Sequence, residues 1–459
     1  MKKVSTVSFL LLAIALKAQT SLPLLKITPG NRYFQTADGK PFFWLGDTGW
    51  LLFTKCSREE TLQYLDKRKQ QGFNVVQVMV LHTLEAVNRN GDSALVNRNI
   101  ANPNTAKEKH PAETTTSGYW DNIDFVIAEA EKRGIYMALV PLWGSNVKQG
   151  KITAAQAVTY AKFLAERYRR HNNIIWLNGG DIKGSDGLEV WEAIGSTLKK
   201  YDNRHLVSFH PRGRTSSSEW FHRSAWLDFD MFQSGHKDYA QDTSSNEKNH
   251  FGEDNWKYVN TDYALKPVKP TIDGEPSYEN IPHGLHDSLE KRWTAADLRR
   301  YAYWSVFAGG AGFTYGENAV MQFNKRGNTG ANFGVSSNWM TTIEAPGATQ
   351  MKYLKALMLS KKYAERQPAQ QIIGGENGEC YNRLLSTMGK EYAMVYTYTG
   401  SSFGIDAGKL AFKIKKAGWF NTKDGTVTAV ESFKKTGIVL FDPPGEAAEG
   451  NDWVLLLEG

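Results

Sequence analysis

The sequence predicts an α/β fold: a (β/α)8 TIM barrel followed by a small antiparallel β-sandwich domain. Three observations predict it. Short apolar runs alternate with amphipathic helical patterns, and the runs number eight, marked by Phe42, Val75, Ile135, Ile174, Leu206, Met231, Val268 and Gly312. Crossovers of this kind make the strands parallel, and eight such units close a barrel. From Gln367 onward the apolar period drops to two and glycine, asparagine and proline turns punctuate it, as in antiparallel sheet.

The elements follow in order. Arg32-Tyr33-Phe34 and Pro41-Phe42-Phe43-Trp44-Leu45 flank the turn Ala37-Asp38-Gly39, which reads as a hairpin leading into the first strand. Ser57 and Glu60 have capping-box spacing, and the helix they open stops at Gly72. The strand Asn74 to Val80 follows, then a long polar stretch from Leu81 to Gly118, read as an insertion walling a cleft. Ile123, Val126, Ile127 and Ala130 form the stripe of the next helix, which ends at Gly134 before the strand Ile135 to Pro141. Thr153 and Gln156 cap a helix whose Ala157, Ala161, Leu164 and Tyr168 share a face; the strand Ile174 to Asn178 follows, then the turn Gly179-Gly180. Trp191, Ile194 and Leu198 mark another helix, Leu206 to His210 and Phe229 to Gln233 two more strands, and Ser234 to Lys266 a second long polar loop. The run Val268 to Ile272, a helix from Thr294 to Ala308, the strand Gly312 to Tyr315 and a closing helix near Gln350 to Lys361 complete the series.

Composition narrows the function. The chain has 459 residues, 41% hydrophobic and 12% aromatic, enough to fill one large and one smaller core. Met1-Lys2-Lys3, an apolar run from Val7 to Leu16 and small residues up to Ala18 have the parts of a cleavable export signal, so a periplasmic or secreted protein is expected, with no membrane span. Boundaries are read as 1–18 for the signal, 19–364 for the barrel and 365–459 for the β-domain. Lys2, Lys3 and Lys17 supply three of the net +7, leaving +4 after residue 18, a mild excess that suits an acidic polysaccharide or simply solubility. No basic run interleaved with aromatics points to nucleic acid. Cys56 and Cys380 stand far apart, leaving one bridge or two free thiols open, and no cysteine or histidine spacing suggests a metal, so no cofactor is expected.

The chemistry concentrates where strands end in acids. Pro270-Thr271-Ile272-Asp273-Gly274-Glu275-Pro276 delivers Glu275 after the seventh strand, and Asp181 follows the fourth. Both therefore fall on the C-terminal face of the barrel, where such folds keep their sites. A pair of carboxyl groups, one protonated and one ionised, is what glycosidic hydrolysis requires. Alone, each acid reads more readily as a helix cap, and Asp273 and Glu279 compete with Glu275 for its role. No G-x-S-x-G elbow supports a serine nucleophile. Around the same rim come the aromatics Trp50, Trp143 and Tyr315, suited to the apolar faces of sugars, whereas Trp44 inside its strand reads as core. Polar candidates for substrate binding at matching strand ends are Asp47, His82, Asn178, His210, Arg212, Gln233, His236 and Glu317.

Six segments in order, Trp44 to Trp50, Gly134 to Gly144, Ser208 to Gly213, Gln233 to His236, Asp273 to Pro276 and Tyr303 to Gly309, resemble the apiosidase-like glycoside hydrolases, exported pectin-degrading enzymes of Bacteroidetes type. The resemblance runs from about Leu25 to the last barrel helix. Gln367 to Gly459 is similar to the β-domain commonly attached to that family and labelled collagen-binding. The resemblance implies a retaining hydrolase with Asp181 as acid/base and Glu275 as nucleophile, releasing apiose-linked side chains from the galacturonan of rhamnogalacturonan II, an acidic pectic glycan. It also carries a departure: the wider clan places a Glu directly after the Asn, whereas here Gly179 and Gly180 intervene and the acid is Asp. Another specificity on the same barrel, a β-galactosidase or arabinofuranosidase, and a non-catalytic carbohydrate- or matrix-binding protein are the alternatives. A retaining enzyme sets the expected carboxyl separation at about 5–5.5 Å, against about 6.5–9.5 Å for inversion.

Overall fold

The computed structural model describes residues 21–111, 116–150, 152–243, 251–434 and 436–459. The segment read as an export signal lies outside them. Eight parallel strands form the barrel: β1 Trp44–Thr48, β2 Val75–Met79, β3 Tyr136–Val140, β4 Ile174–Ile182, β5 Val207–Pro211, β6 Asp230–Gln233, β7 Thr271–Asp273 and β8 Gly312–Tyr315. They pair in the order β5-β4-β3-β2-β1-β8-β7-β6, with a short antiparallel strand, Thr215–Ser216, at the β6 edge. No ladder joins β5 to β6. That seam is bridged instead by Asp228, whose N–H donates to the Val207 carbonyl at 2.8 Å and whose carboxylate accepts the Val207 N–H at 2.7 Å, and by the Ser208 hydroxyl on the Phe229 carbonyl at 2.7 Å.

The helices form where the apolar spacing demands them. α1 (Arg58–Gln70) and α3 (Ala154–Tyr168) each open with a complete capping box, at Ser57 with Glu60 and at Thr153 with Gln156. α2 (Tyr119–Lys132) and α4 (Leu188–Tyr201) bury the predicted stripes against the sheet. α5 (Asn255–Ala264) lies inside the stretch that sequence polarity assigns to a loop; Tyr258 and Val259 give it a narrow buried face that its polar neighbours conceal. α6 (Ala295–Phe307) is buried almost all round, because the C-terminal domain covers the side turned away from the barrel. α7 (Pro346–Leu359) starts four residues before the predicted Gln350, with proline in its first turn.

Two strand assignments change. Phe42 belongs to the hairpin with Phe34–Thr36, and the first barrel strand begins only at Trp44. β7 begins at Thr271, beyond Val268. The Leu81 to Gly118 stretch, described apart from 112–115, folds back on the barrel wall through Ala86, Ala94, Leu95 and Ile100 and does not wall the cleft beyond its second residue, His82. Cys56 is buried, Cys380 exposed, and both are free thiols.

The C-terminal domain is a six-stranded antiparallel sheet with β9 Gln367–Pro368, β10 Leu385–Met388, β11 Tyr392–Thr397, β13 Lys416–Asn421, β14 Val427–Ala429 and β16 Trp453–Glu458, faced by the pair β12 Phe403–Asp406 and β15 Ile438–Phe441. Its contact with the barrel is a continuation of the core. Tyr303 of α6 stacks on Tyr396 of β11 at 4.8 Å and 11°, and Arg299 grips Asp452 through two bonds of 2.6 and 2.9 Å, both side chains buried.

At the first strand, Asp47 points away from the strand-end cavity. Its Oδ2 accepts the Tyr64 hydroxyl at 2.5 Å and Arg68 Nε at 2.7 Å, both partners on α1, and Arg68 also donates to Gln71 Oε1 and the Ile343 carbonyl. Every member is fully buried. Asp47→Ala leaves the Arg68 guanidinium charged, buried and short of its acceptor, so unfolding titrations should show a loss of about 3–5 kcal/mol.

Candidate active site

The fourth strand carries the feature that shapes the site. β5 runs in register with β4 up to His210 opposite Gly179, and then Pro211 pairs with Ile182, so Gly180 and Asp181 bulge out of the ladder. The bulge needs its glycines. Gly179 sits at φ +87 and Gly180 at φ +120; a Cβ on Gly179 would come 2.7 Å from the His210 carbonyl oxygen, and one on Gly180 2.5 Å from the Trp143 ring. Asp181 follows in the left-handed region at φ 49. Asn178 holds the bulge from behind, its Oδ1 accepting the Gly179 N–H at 3.1 Å and its Nδ2 donating to the Trp191 carbonyl at 2.7 Å.

The bulge aims Asp181 into a cavity of about 770 Å³ whose wall also holds Glu275, Trp50, His82, Trp143, Arg212, Gln233 and His236. Of the sequence candidates, these come together. His210 stands just behind them and touches Glu275. Besides His210, four do not line the cavity: Asp47 is taken by Arg68, Asn178 by the bulge, Tyr315 donates its hydroxyl to buried Glu279 at 2.6 Å, and Glu317 caps a short helix at Asn318 while accepting from Thr342. All four lie in or next to a strand whose side chains alternate between the two faces, and pattern alone does not say which face each takes.

Asp273 and Glu279, the rivals of Glu275, are both buried and occupied elsewhere. Asp273 accepts from Ser234 and Asn255 at 2.8 and 3.0 Å, and Glu279 accepts from Tyr315 and the Gly347 N–H.

Glu275 is almost wholly enclosed. Its Oε1 lies 3.3 Å from His236 Nε2, and its Oε2 lies 3.2 Å from His210 Nε2, off the line of a well-formed hydrogen bond. The Asp181 N–H points at His210 Nδ1 at 3.4 Å, which leaves that ring's proton on Nε2, facing Glu275. Tyr278, which sequence reading missed, lies near enough for the Glu275 charge to raise its phenol pKa after burial has done so, and it accepts from Trp50 Nε1 at 3.0 Å. Trp50 in turn packs edge-on to His210 with centroids 5.2 Å apart and tilts against Trp143 at 5.4 Å.

These surroundings separate the two acids. Burial acts to raise the Glu275 pKa, but the facing imidazoles of His210 and His236 outweigh it and hold the carboxyl at about 2. Asp181 opens onto the cavity water yet lies deep between protein walls; burial first, then the negative charge of Glu275, pushes it up to about 6 against the opposing pull of the two histidines. Between those values one carboxyl is a proton donor and the other an anion, which is the equipment for acid-assisted displacement.

The cavity wall also includes segments whose role left no signal in the sequence: Ile281 to His286, and Met321, Gln322 and Phe333 after β8. Five cationic side chains, Lys148, Lys183, Arg212, Arg214 and Lys237, stand on the quarter served by β3, β4, β5 and β6. Among the described residues no cluster of three or more His, Cys, Asp or Glu side chains is placed to hold a metal ion.

The space at the bulge gives a direct test. Gly179→Ala places a methyl against a backbone carbonyl at a positive φ, and thermal unfolding should register a loss of about 1–3 kcal/mol from the strained residue.

Comparison with known proteins places the chain. A solved structure titled "Glycoside hydrolase" is 44% identical, superposes with a TM-score of 0.89 and covers 95% of this chain and 97% of its own. A crystal structure of a glycoside hydrolase family 5 protein from Bacteroides vulgatus ATCC 8482 is 43% identical, with a TM-score of 0.89, covering 96% and 94%. Among curated proteins none matches. Residues 367–458 match a domain model described as "Putative collagen-binding domain of a collagenase", and residues 28–365 match the model "Apiosidase-like, catalytic domain". The chain is a glycoside hydrolase and belongs to the apiosidase-like family.

Proposed function

We propose that this hydrolase is an exported retaining enzyme that cleaves apiosyl linkages on the galacturonan of rhamnogalacturonan II, with Asp181 as acid/base and Glu275 as nucleophile. The observation that carries the roles is the opposite displacement of two carboxyl groups in one cavity, Asp181 up to about 6 and Glu275 down to about 2.

The reaction follows from that division. Glu275 attacks the anomeric carbon while Asp181 gives its proton to the departing glycosidic oxygen, so the C–O bond breaks as an ester to Glu275 forms. Esterification removes the negative charge that helped raise Asp181. Its pKa then falls, and the same group becomes the base that takes a proton from water as water displaces Glu275. Trp50 and Trp143 offer faces to the sugar ring, and His82, Gln233 and His236 offer polar atoms to its hydroxyls.

The acidic substrate is supported by the cationic quarter of the rim. Lys148, Lys183 and Lys237 have no carboxylate within ion-pair distance among the described residues, although Arg214 already holds Asp242 at 2.6 Å. All three line the same cavity as Asp181 and Glu275. Export is supported by the arrangement of residues 1–18.

Purified enzyme assayed on a panel of pectic oligosaccharides, β-galactosides and arabinofuranosides should release apiose from apiosylated galacturonides, with the first product anomer retained by NMR. Preference for a galactoside or arabinofuranoside overturns the substrate, and an inverted product overturns the mechanism. Asp181→Asn and Glu275→Gln should each lower kcat by at least about 10²-fold on substrates with a poor leaving group. The pH profile has a fixed sign. Asp181 must be protonated, so kcat/KM should be lost as pH rises through about 6, and that limb should vanish in Asp181→Asn.

A further inference from the structure

We propose that the C-terminal β-domain is a working part of the active site: through Tyr381 it fixes the loop that carries His236 and so positions His236 against Glu275. The inference rests on the reading of Glu275 as nucleophile and adds positioning residues from the second domain.

The connection runs through four groups. His236 reaches Glu275 Oε1 at 3.3 Å from the loop after β6, and three residues on, the Tyr239 N–H donates to Glu253 Oε1 at 2.8 Å. Glu253 is fully buried at the entry to α5. Its carboxylate also binds Arg300 of α6 and accepts the Tyr381 hydroxyl at 3.1 and 3.2 Å. Tyr381 lies in a short turn of the β-domain, Cys380–Asn382, between β9 and β10. Its ring packs on Tyr239 with centroids 5.3 Å apart and closes the aromatic box around Arg300, whose guanidinium carbon is 4.8 Å from the Tyr381 centroid and 5.4 Å from that of Tyr398.

Neither domain completes this anchor alone. Without the β-domain, Glu253 keeps the Tyr239 N–H and Arg300 but loses a hydroxyl donor, and Arg300 loses two of the aromatic faces that shield it. A buried carboxylate short of a donor, beside a cation opened to water, is a looser hold on Tyr239. The displacement reaches the site because only Lys237 and Asp238 separate Tyr239 from His236, and small misplacements at a reacting centre are costly. A second contact joins the same units: Arg383 stacks on Trp256 at the start of α5, 4.2 Å from its ring centroid.

The test uses the full-length enzyme with Tyr381→Phe, which keeps the ring and removes the hydroxyl, and Glu253→Gln as the stronger change. Tyr381→Phe should lower kcat/KM by about tenfold and Glu253→Gln by more, in both mainly through kcat. Their acid limb should move to higher pH, because Glu275, faced by His210, His236, Tyr278, Asp181 and Asp273, loses part of what keeps it ionised. Leu440→Ser, at an exposed position of the same domain, should behave as wild type. Variants with lowered melting temperature but unchanged kcat, KM and acid limb, beside an inactive Glu275→Gln, overturn the inference and leave the functional reading standing. An active Glu275→Gln overturns both.

Discussion

A carboxylate kept ionised away from bulk water is the constraint on which the rest of this structure depends. Burial alone would drive Glu275 to bind a proton, and a protonated carboxyl is a poor nucleophile. Two histidines from adjacent strand ends prevent this, and each must itself be held: His210 by the Asp181 N–H and by the rings of Trp50 and Trp143, His236 by Tyr278 and by its anchored loop. The barrel is the scaffold that brings these groups together, since β4, β5, β6 and β7 all end at the same rim.

The same negative charge sets up its partner. Asp181 is raised partly because Glu275 stays ionised, so one electrostatic fact yields both the anion and the acid. The separation lasts only while the histidines hold, which explains why the structure invests buried bonds in elements several residues away from the reacting centre. Tyr278 belongs to the same support: it packs edge-on to His236 and accepts from Trp50 Nε1, joining the chain after β7 to the loop after β1.

The barrel was legible because its pattern is long and redundant: capping boxes at Ser57 and Thr153, helical stripes in α2 and α4, and eight apolar runs agree with one another. The placement of Asp181 and Glu275 at one cavity was legible because the strand ends of this fold share a face. What sequence left open was which way a side chain points. Asp47 and Tyr315 sit at strand ends like the true cavity residues, yet they turn away from the cavity, toward Arg68 on α1 and Glu279 in the chain after β7, buried partners that lie distant in sequence. Glu317 faced the same ambiguity, because a carboxylate two residues past a strand end reads alike as ligand or helix cap. Tyr278 and the wall from Ile281 to His286 belong to irregular chain, which has no period to betray its facing. Helix α5 was hidden by the polar residues around Tyr258 and Val259.

The two inserted glycines make sense as a trade of reach between backbone and side chain. An Asp is one methylene shorter than a Glu, so at the same Cα position its carboxyl falls short of the cavity. Displacing Gly180 and Asp181 out of register with β5 takes the acid's Cα out of the ladder and aims its shorter side chain into the cavity. The cost is a backbone that only glycine adopts at two successive positions, packed against the His210 carbonyl and the Trp143 ring. That packing also serves the site, because it presses together the bulge carrying Asp181, the ring of His210 that steadies Glu275, and the indole of Trp143 that lines the cavity. A Glu on a regular strand end would reach as far without holding those three in contact. The Asn178-Gly179-Gly180-Asp181 turn is therefore a different solution to the same geometric demand, in which rigidity comes from the close approach of backbone to ring.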